Sequence, residues 1–472
     1  MFLQKLLPEE VEINLRGHGR FKSFCYILCI FLLSLLCLSP CSAPPGKTNI
    51  ILITVDTLRQ DHLGCYGYQR DTTPVIDKFA NEAVVFTQAI SQSSLTLPSL
   101  ASLITSTYPA KNGITTQDVY FTKLDYPTII DILKGKGYMT AAFLPYGRVV
   151  GHWLKKATDY FFLYPYSKEN VEAFSNAPFL TSQAITWIRQ NSSLPFFAWI
   201  HYDETHAPYA PPFPHNTLYI GDRMYNRNRK VPLGKDNTGL GGVPLKSNLN
   251  NNDNLDYYIA EYDGEIRYVD GWIGRFLDEL KALRLYDEAL IIISADHGEG
   301  FGEHNLYCMH GVFLYDELIR VPLIMKFPKR SPYTHAAVKK QVRLVDVMPT
   351  ILGYLRCRAP KHIDGTSLLP LIGHAHGVKN TPLAFSKVDS VNAIRSEAWK
   401  LIYNESTHRY ELYDLKDDPG EQRDVYYDEQ EISSYLRNKL NNILDASPSP
   451  DKKSEIKDND TKNFLKSLGY LE

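Results

Sequence analysis

The run NIILITVD, residues 49–56, indicates the fold class, because it consists mainly of apolar and β-branched residues and ends in an aspartate. Runs of this kind are typical of strands that are buried on both faces of a parallel sheet. ALIIISAD at 289–296 repeats the pattern, FFAWIHYD at 196–203 is a third run, and TAAFLPYG at 140–147 is a fourth. The sequence therefore predicts a set of buried parallel strands.

The segments between these strands carry helical and loop patterns. Apolar residues recur at three- and four-residue spacing from Ile259 to Leu283, which predicts an amphipathic helix that leads into the 289–296 strand. Residues 214–254 are rich in Asn, Gly and Pro, so we expect a long surface loop over the strand ends.

The last part of the chain has a different pattern. From about Thr381 the segments are short and alternating, and KLIYNESTHRYELYDL at 400–415 predicts an antiparallel hairpin. We therefore expect a main domain over residues 47–380 and a smaller subdomain over residues 381–472.

The charge balance excludes one class of partner. The chain contains 51 Lys and Arg residues against 53 Asp and Glu residues, which gives a net charge of −2. Nucleic-acid-binding proteins normally present a basic face to the phosphate backbone. We therefore expect no nucleic-acid partner.

The N-terminus carries an apolar run, Phe24–Leu38, with basic residues before it and LSPCSAPPG after it. This pattern predicts that residues 1–46 are an export signal or a membrane or lipid anchor, and that the rest of the chain is exported to the cell envelope or beyond. A cleaved signal, a lipoprotein signal with Cys41 acylated and an uncleaved anchor are all compatible with it.

Two aspartates stand where buried strands end. Asp56 closes the first strand, Asp296 closes the 289–296 strand, and His297 follows directly. The carboxyl ends of such strands meet at one edge of the sheet, and buried carboxylates are costly unless they are paired or bind a metal. The mixed oxygen and nitrogen donors favour one divalent ion, Zn²⁺ or Mn²⁺, with Ca²⁺ compatible. Otherwise Asp56 caps a helix and His297 packs against the sheet.

Thr96 is the candidate nucleophile. Pro98 and the helical spacing of the apolar residues after it place Thr96 at a helix N-terminus. Backbone N–H groups and the helix dipole favour an anion there, and a metal can lower the pKa of a hydroxyl that it binds. Thr96 is therefore both a candidate nucleophile and a candidate metal ligand. The alternative is an ordinary N-cap.

Titratable residues crowd the glycine-rich loop SADHGEGFGEHNLYCMHG at 294–311. Glu299, Glu303, His304 and His310 all lie in it. We expect some of them to touch the substrate or a second metal.

At these residues the chain resembles the sulfatase family of the alkaline-phosphatase superfamily. The resemblance runs from about Asn49 to the C-terminus, and specific motifs carry it: NIILITVDTLRQDHLGCYGY, TLPSLASLITSTYP, HYDETHAPY, SADHGEGFGEH and the ending KLIYN…YELYDLKDDPGEQRD. The resemblance implies an α/β fold with a central, mostly parallel sheet flanked by helices and a smaller C-terminal antiparallel sheet.

The resemblance also implies roles for single residues. Asp56, Asp296 and His297 fall on metal-ligand positions, and Thr96 falls on the nucleophile position. His206 and His310 fall where the family places basic residues that contact the transferred group or the leaving oxygen. The family often has a second aspartate directly after the first, and this chain has Thr57 there.

The nucleophile motif departs from the family pattern. Sulfatases carry Cys or Ser in C/S-x-P-x-R and oxidise it to formylglycine, whereas this chain has Thr96 and then Leu100 at the arginine position. A second arginine of that helix is replaced by Thr107. We therefore expect no formylglycine. Superfamily members with a threonine nucleophile include metal-dependent phosphodiesterases and the phosphoethanolamine and phosphoglycerol transferases of bacterial envelopes.

Together these residues predict an exported, metal-dependent hydrolase of sulfate or phosphate esters. The threonine favours phosphate, because a threonine ester has no second hydroxyl that could expel sulfate by elimination. The expected partners are an anionic ester, on a glycan or a lipid, and a membrane at the N-terminus. An envelope transferase is the first alternative, and an inactive sulfatase-like protein that binds glycans is the second.

Overall fold

The run at 49–56 forms β1, Ile50–Val55, and every residue of this strand is buried. The computed structural model of the chain describes residues 48–117, 126–145, 152–164, 176–373 and 382–447. In chain order the strands are β1, Ile50–Val55; β2, Val84–Ile90; β3, Met139–Leu144; β4, Tyr160–Leu163; β5, Phe196–Tyr202; β6, Leu290–Ala295; β7, Gly300–Phe301; β8, Tyr307–Met309; β9, Arg320–Lys326; β10, Ala336–Arg343; β11, Ala384–Val388; β12, Val391–Arg395; β13, Trp399–Asn404; and β14, Arg409–Asp414.

The large sheet has eight strands in the order β10-β2-β9-β6-β1-β5-β3-β4. β1 lies at its centre and runs parallel to both neighbours, so that Thr54 faces His201 of β5 and Ser294 of β6. β9 is antiparallel to β2 and β6, while the other pairings are parallel. The prediction of a mostly parallel sheet is confirmed, and all four predicted runs form strands of it.

Helices cover the sheet. In chain order they are α1, Pro74–Ala80; α2, Thr96–Thr105; α3, Pro109–Asn112; α4, Ile129–Gly135; α5, His152–Ala157; α6, Ala177–Asn191; α7, Leu255–Ala282; α8, Asp316–Ile319; α9, Val347–Tyr354; α10, Leu369–Ile372; and α11, Gln430–Asp445. The predicted amphipathic helix is α7, which begins after Asn254, where the Asn254 side chain accepts a hydrogen bond from Tyr257 N. Its apolar stripe, which includes Ile266, Val269 and Phe276, is buried in the main core.

The predicted C-terminal hairpin is formed by β13 and β14. It belongs to a four-stranded antiparallel sheet in the order β11-β12-β13-β14. Lys400 on β13 is fully buried and lies 2.6 Å from an oxygen of Asp316 in α8 and 2.7 Å from an oxygen of Glu421. This ion pair ties the small sheet to the loops that follow the large one.

The long loop at 214–254 contacts the hairpin of β7 and β8, which follows β6 in the chain. Leu240 forms an isolated bridge with Leu306, and Tyr307 N donates to Gly239 O. Both contacts lie on the hairpin of β7 and β8, a few residues before His310.

The predicted export segment, residues 1–46, lies outside the described residues. Among the helices that the structure describes, none has the length and apolar character needed to cross a bilayer.

Candidate active site

Asp56 and Asp296 meet where adjacent parallel strands end. Val55 and Ala295 are paired in the sheet, so the residues that follow them lie side by side. His297 Nε2 lies 3.4 Å from Asp56 Oδ1 and 3.5 Å from Asp296 Oδ2. All three side chains are buried.

Thr96 is the first residue of α2, as predicted, and the helix aims it at this group. Its Oγ1 lies 3.2 Å from His297 Nε2 and 3.4 Å from Asp56 Oδ1. Ser99 Oγ, one turn later, donates to Asp296 O at 2.7 Å and holds α2 against the end of β6. The structure therefore brings together all four residues that the sequence predicts as metal ligands.

The helix N-terminus offers less to an anion than the sequence suggests. Leu97 N, one of the N–H groups of the first turn, donates to Gln117 Oε1 at 3.1 Å, and Pro98 has no N–H. Leu100, at the position of the missing arginine, is fully buried in the main core, and Thr107 bonds to Thr105 at 2.6 Å. Among the contacts described around Thr96, no arginine from elsewhere in the chain replaces the two arginines that the family pattern has at positions 100 and 107.

The electrostatics of the group fit a divalent cation. Burial, and then the neighbouring Asp296 charge, raise the pKa of Asp56 well above its usual value. Burial likewise raises the pKa of Asp296 to about 7. Asp296 Oδ1 accepts from His297 N and Thr57 N, but Oδ2 has no hydrogen-bond partner in the part of the chain described. Buried carboxylates in this state need a positive charge between them.

His297 presents the correct nitrogen for a metal. Its Nδ1 lies 2.9 Å from Gly298 O, and because a carbonyl only accepts, Nδ1 carries the hydrogen. In the neutral ring the lone pair is then on Nε2, which faces Asp56, Asp296 and Thr96. Backbone contacts of this kind fix the tautomer of metal-binding histidines.

Thr57 does not replace the second aspartate of the family. Its backbone is left-handed, with φ 52°, and its Oγ1 donates to Thr205 O at 2.6 Å. Thr205 Oγ1 in turn donates to Asp56 O, so this reciprocal pair fastens the end of β1 to the chain after β5. The side chain of Thr57 is therefore used for structure.

His201 is a residue of the site that the sequence analysis missed. It lies on β5 beside Thr54 and is fully buried. Asp56, His201 and Asp296 each offer one ligand atom, and these atoms lie within 4.8 Å of one another. Burial lowers the pKa of His201 to about 3, so the ring is neutral. The only sequence signal was the histidine near the end of the run FFAWIHYD, whose position beside β1 depends on the strand order.

His206 and His310 lie together beside His297. The His310 ring centroid is 4.4 Å from that of His297 and 5.0 Å from that of His206. His206 Nδ1 donates to Ala207 O at 2.6 Å. In the neutral ring, Nε2 is then the acceptor nitrogen.

Glu299 supports His310 and is a second residue whose role the sequence left open. Its Oε1 lies 3.2 Å from His310 Nδ1, and Tyr209 Oη donates to its Oε2 at 3.2 Å. Burial raises the pKa of Glu299 to about 7. Glu299 therefore holds the His310 ring through Nδ1.

The other titratable residues of this loop serve the fold. Glu303 accepts from Arg59 at 2.6 Å, and His304 lies 2.6 Å from Glu317 while its ring stacks on Tyr315. Of the four titratable residues named in this loop, Glu299 and His310 are therefore the two that we still expect near the substrate.

Comparison with known proteins identifies the class. The sulfatase family model matches residues 48–356, and the model of the N-sulphoglucosamine sulphohydrolase C-terminal region matches residues 302–446. The chain belongs to the sulfatase family. Its members are hydrolases of sulfuric or phosphoric esters, and this chain is such a hydrolase.

Individual relatives have low sequence identity to this chain, but the matched regions are long. An ulvan-active sulfatase of Formosa agariphila is 27% identical over 70% of this chain and 65% of its own length. An N-acetylglucosamine-6-O-sulfatase of Bacteroides thetaiotaomicron is 23% identical over 83% of this chain and 84% of its own length. The phosphonate monoester hydrolase of Agrobacterium radiobacter superposes with a TM-score of 0.69 at 20% identity, over 84% of this chain and 95% of that one.

Proposed function

We propose that this protein is a metal-dependent hydrolase that cleaves phosphate esters faster than sulfate esters, with Thr96 as its nucleophile. The observation that carries the proposal is the position of Thr96 Oγ1, within 3.4 Å of both Asp56 Oδ1 and His297 Nε2. A divalent cation held by Asp56, Asp296 and His297 would lower the pKa of the hydroxyl and offset the charge of the transferred group.

The proposed reaction has two steps, formation and hydrolysis of a covalent intermediate on Thr96. Thr96 loses its hydroxyl proton to solvent and Oγ1 attacks the phosphorus; the bond from phosphorus to the leaving oxygen breaks, and that oxygen takes a proton from His206 or His310. Water then attacks the phosphorus and returns a proton to the histidine. The bond to Thr96 Oγ1 breaks, and Thr96 regains its proton.

The preference for phosphate follows from the second step. A formylglycine hydrate releases sulfate by elimination through its second hydroxyl, which a threonine ester lacks. The covalent intermediate on Thr96 must be released by attack at its central atom. That route is open to a phosphoryl group whose charge is offset by a cation.

A direct comparison of paired substrates tests this proposal. The purified protein, loaded with Zn²⁺ or Mn²⁺, is assayed with nitrophenyl phosphate, bis-nitrophenyl phosphate and nitrophenyl sulfate at equal concentrations. We expect a phosphate ester to give the highest kcat/KM. If the sulfate ester wins by a clear margin, the proposal is wrong and an ordinary sulfatase activity takes its place.

The substrate class that we propose is an anionic ester on a glycan. Support comes from the relatives, since one is named for ulvan and another for N-acetylglucosamine 6-O-sulfate. Transfer to an added glycan or lipid acceptor, in place of release to water, would instead identify an envelope transferase. Product analysis with and without an acceptor distinguishes the two.

We also propose that the protein is exported through residues 1–46. The apolar run Phe24–Leu38 and the basic residues before it support this assignment. Cell fractionation of the full chain and of a Leu32→Arg, Leu35→Arg variant tests it. We expect the full chain in the envelope or the medium and the variant in the cytoplasm, and a cytoplasmic full chain would refute export.

A further inference from the structure

His201 Nε2 has no hydrogen-bond partner among the described residues, although the side chain is fully buried. Most buried polar side-chain atoms in proteins have a partner, so an orphaned one requires an explanation. The other nitrogen of the ring is engaged, because Nδ1 lies 2.7 Å from Thr54 Oγ1. The ring is therefore held at one end and unsatisfied at the other.

The His201 ring lies close to the two strand-end aspartates. The ligand atoms of Asp56, His201 and Asp296 lie within 4.8 Å of one another. Ligands that share a Zn²⁺ ion at about 2.0–2.2 Å lie up to roughly twice that distance apart. Nε2 makes no hydrogen bond to either carboxylate among the described residues, yet the ligand atoms of the three side chains are close to the spacing of atoms that surround one cation.

The support behind His201 resembles that of a metal-binding histidine. Thr54 Oγ1 accepts a hydrogen bond from Trp199 Nε1 at 2.9 Å, which fixes its position beside the imidazole. When Nδ1 donates to Thr54 Oγ1, the lone pair of the neutral ring is on Nε2. A polar partner on the second ring nitrogen is the usual arrangement at a metal site.

The chain also lacks an oxygen ligand at this place. Thr57 stands where the family often has a second aspartate, and its hydroxyl donates to Thr205 O. We propose that His201 Nε2 binds the divalent cation in place of that aspartate and makes the site prefer Zn²⁺, Co²⁺ or Mn²⁺ to Ca²⁺. This inference rests on the metal dependence proposed above. Two imidazoles and two carboxylates suit transition metals, whereas Ca²⁺ takes oxygen ligands.

Metal binding to the purified full-length protein provides the test. After chelation, the wild type and His201→Gln are titrated with Co²⁺ and with Ca²⁺, and binding is followed by metal analysis and by the Co²⁺ absorption spectrum. We expect His201→Gln to lower Co²⁺ affinity by at least about 10-fold. Its Ca²⁺ affinity should change much less. His215→Gln is the matched control, because His215 bonds to Pro212 O and lies outside the site.

A rescue variant separates ligation from packing. Adding Thr57→Asp to His201→Gln should restore tight metal binding and shift the preference toward Ca²⁺. Aspartate suits this position, since it tolerates the left-handed backbone that Thr57 adopts. A rescue of this kind would not follow if His201 only filled space.

A measurement on the wild type removes any dependence on variant folding. Each histidine bound to Co²⁺ contributes one hyperfine-shifted ring N–H signal, so we expect two such signals, from His201 and His297. A single signal, or wild-type Co²⁺ affinity in His201→Gln, would overturn the proposed role of His201 and leave the proposed function standing. A wild type that binds no divalent ion would overturn the proposed function as well.

Discussion

Thr96 Oγ1 lies 3.2 Å from His297 Nε2, although the two residues are 201 positions apart in the chain. The contact exists because α2 begins directly above the ends of β1 and β6. Ser99, one turn into α2, anchors the helix to Asp296 O. A hydroxyl at the start of a helix is thereby placed against an imidazole and a carboxylate that follow two different strands.

Removing the hydroxyl of Thr96 should abolish turnover. Thr96→Ala is expected to lower kcat by at least on the order of 10³-fold, because it removes the hydroxyl proposed to form the covalent intermediate. Metal content should stay near wild type, since Asp56, Asp296 and His297 remain. Thr96→Ser is the control and should retain measurable activity. Full activity in Thr96→Ala would remove Thr96 from the mechanism.

Glu299 should matter for kcat more than for KM. Glu299→Gln keeps the side-chain volume but weakens the contact with His310 Nδ1. We therefore expect kcat to fall by about 10–100-fold, which is less than the loss expected when an acid–base residue itself is removed. Glu303→Gln is the matched control, since Glu303 lies in the same loop and pairs with Arg59. Equal losses in both variants would show that Glu299 only supports the loop.

The buried cation at Lys400 should be essential for stability. Lys400→Met leaves Glu421 and Asp316 buried without this partner, and removing one member of a buried ion pair typically costs about 3–5 kcal/mol. The exposed pair of Lys340 and Glu397 serves as the comparison, and Lys340→Met should cost less than about 1 kcal/mol. Denaturant unfolding measures both values. Similar costs would mean that the small sheet does not depend on this contact.

Stability should also depend on pH through His304. Burial by itself lowers the pKa of His304, but the hydrogen bond and charge of Glu317 outweigh it, so the pKa is raised overall. A raised pKa stabilises the fold below the unfolded value of about 6.5, and this contribution is lost as the pH rises through the folded value.

The difference in unfolding free energy between wild type and His304→Gln should therefore be larger near pH 6 than near pH 9. His408→Gln changes an exposed histidine in the turn between β13 and β14 and is the control. A difference that grows with pH would contradict this reasoning.

Four strands of the large sheet, and the residues that follow them, can be predicted from the sequence alone. The apolar runs that end at Asp56 and Asp296 are long enough to require burial on both faces, and the ends of parallel strands share one edge of a sheet. Pro98 and the spacing after it fixed the start of α2 at Thr96. For these residues, local pattern and tertiary position agree, because each is attached to the end of a regular element.

The other side chains of the site are brought to these residues by tertiary contacts, which the sequence pattern does not reveal. His201 reaches the aspartates because β5 lies next to β1, and strand order is set by crossovers that leave no local pattern. Glu299, Glu303 and His304 cannot be told apart by their positions in the glycine-rich loop. In the folded chain, Glu303 pairs with Arg59, and His304 contacts Glu317 and Tyr315. These partners come from distant parts of the chain, so the choice among them depends on burial and charge pairing that exist only after folding.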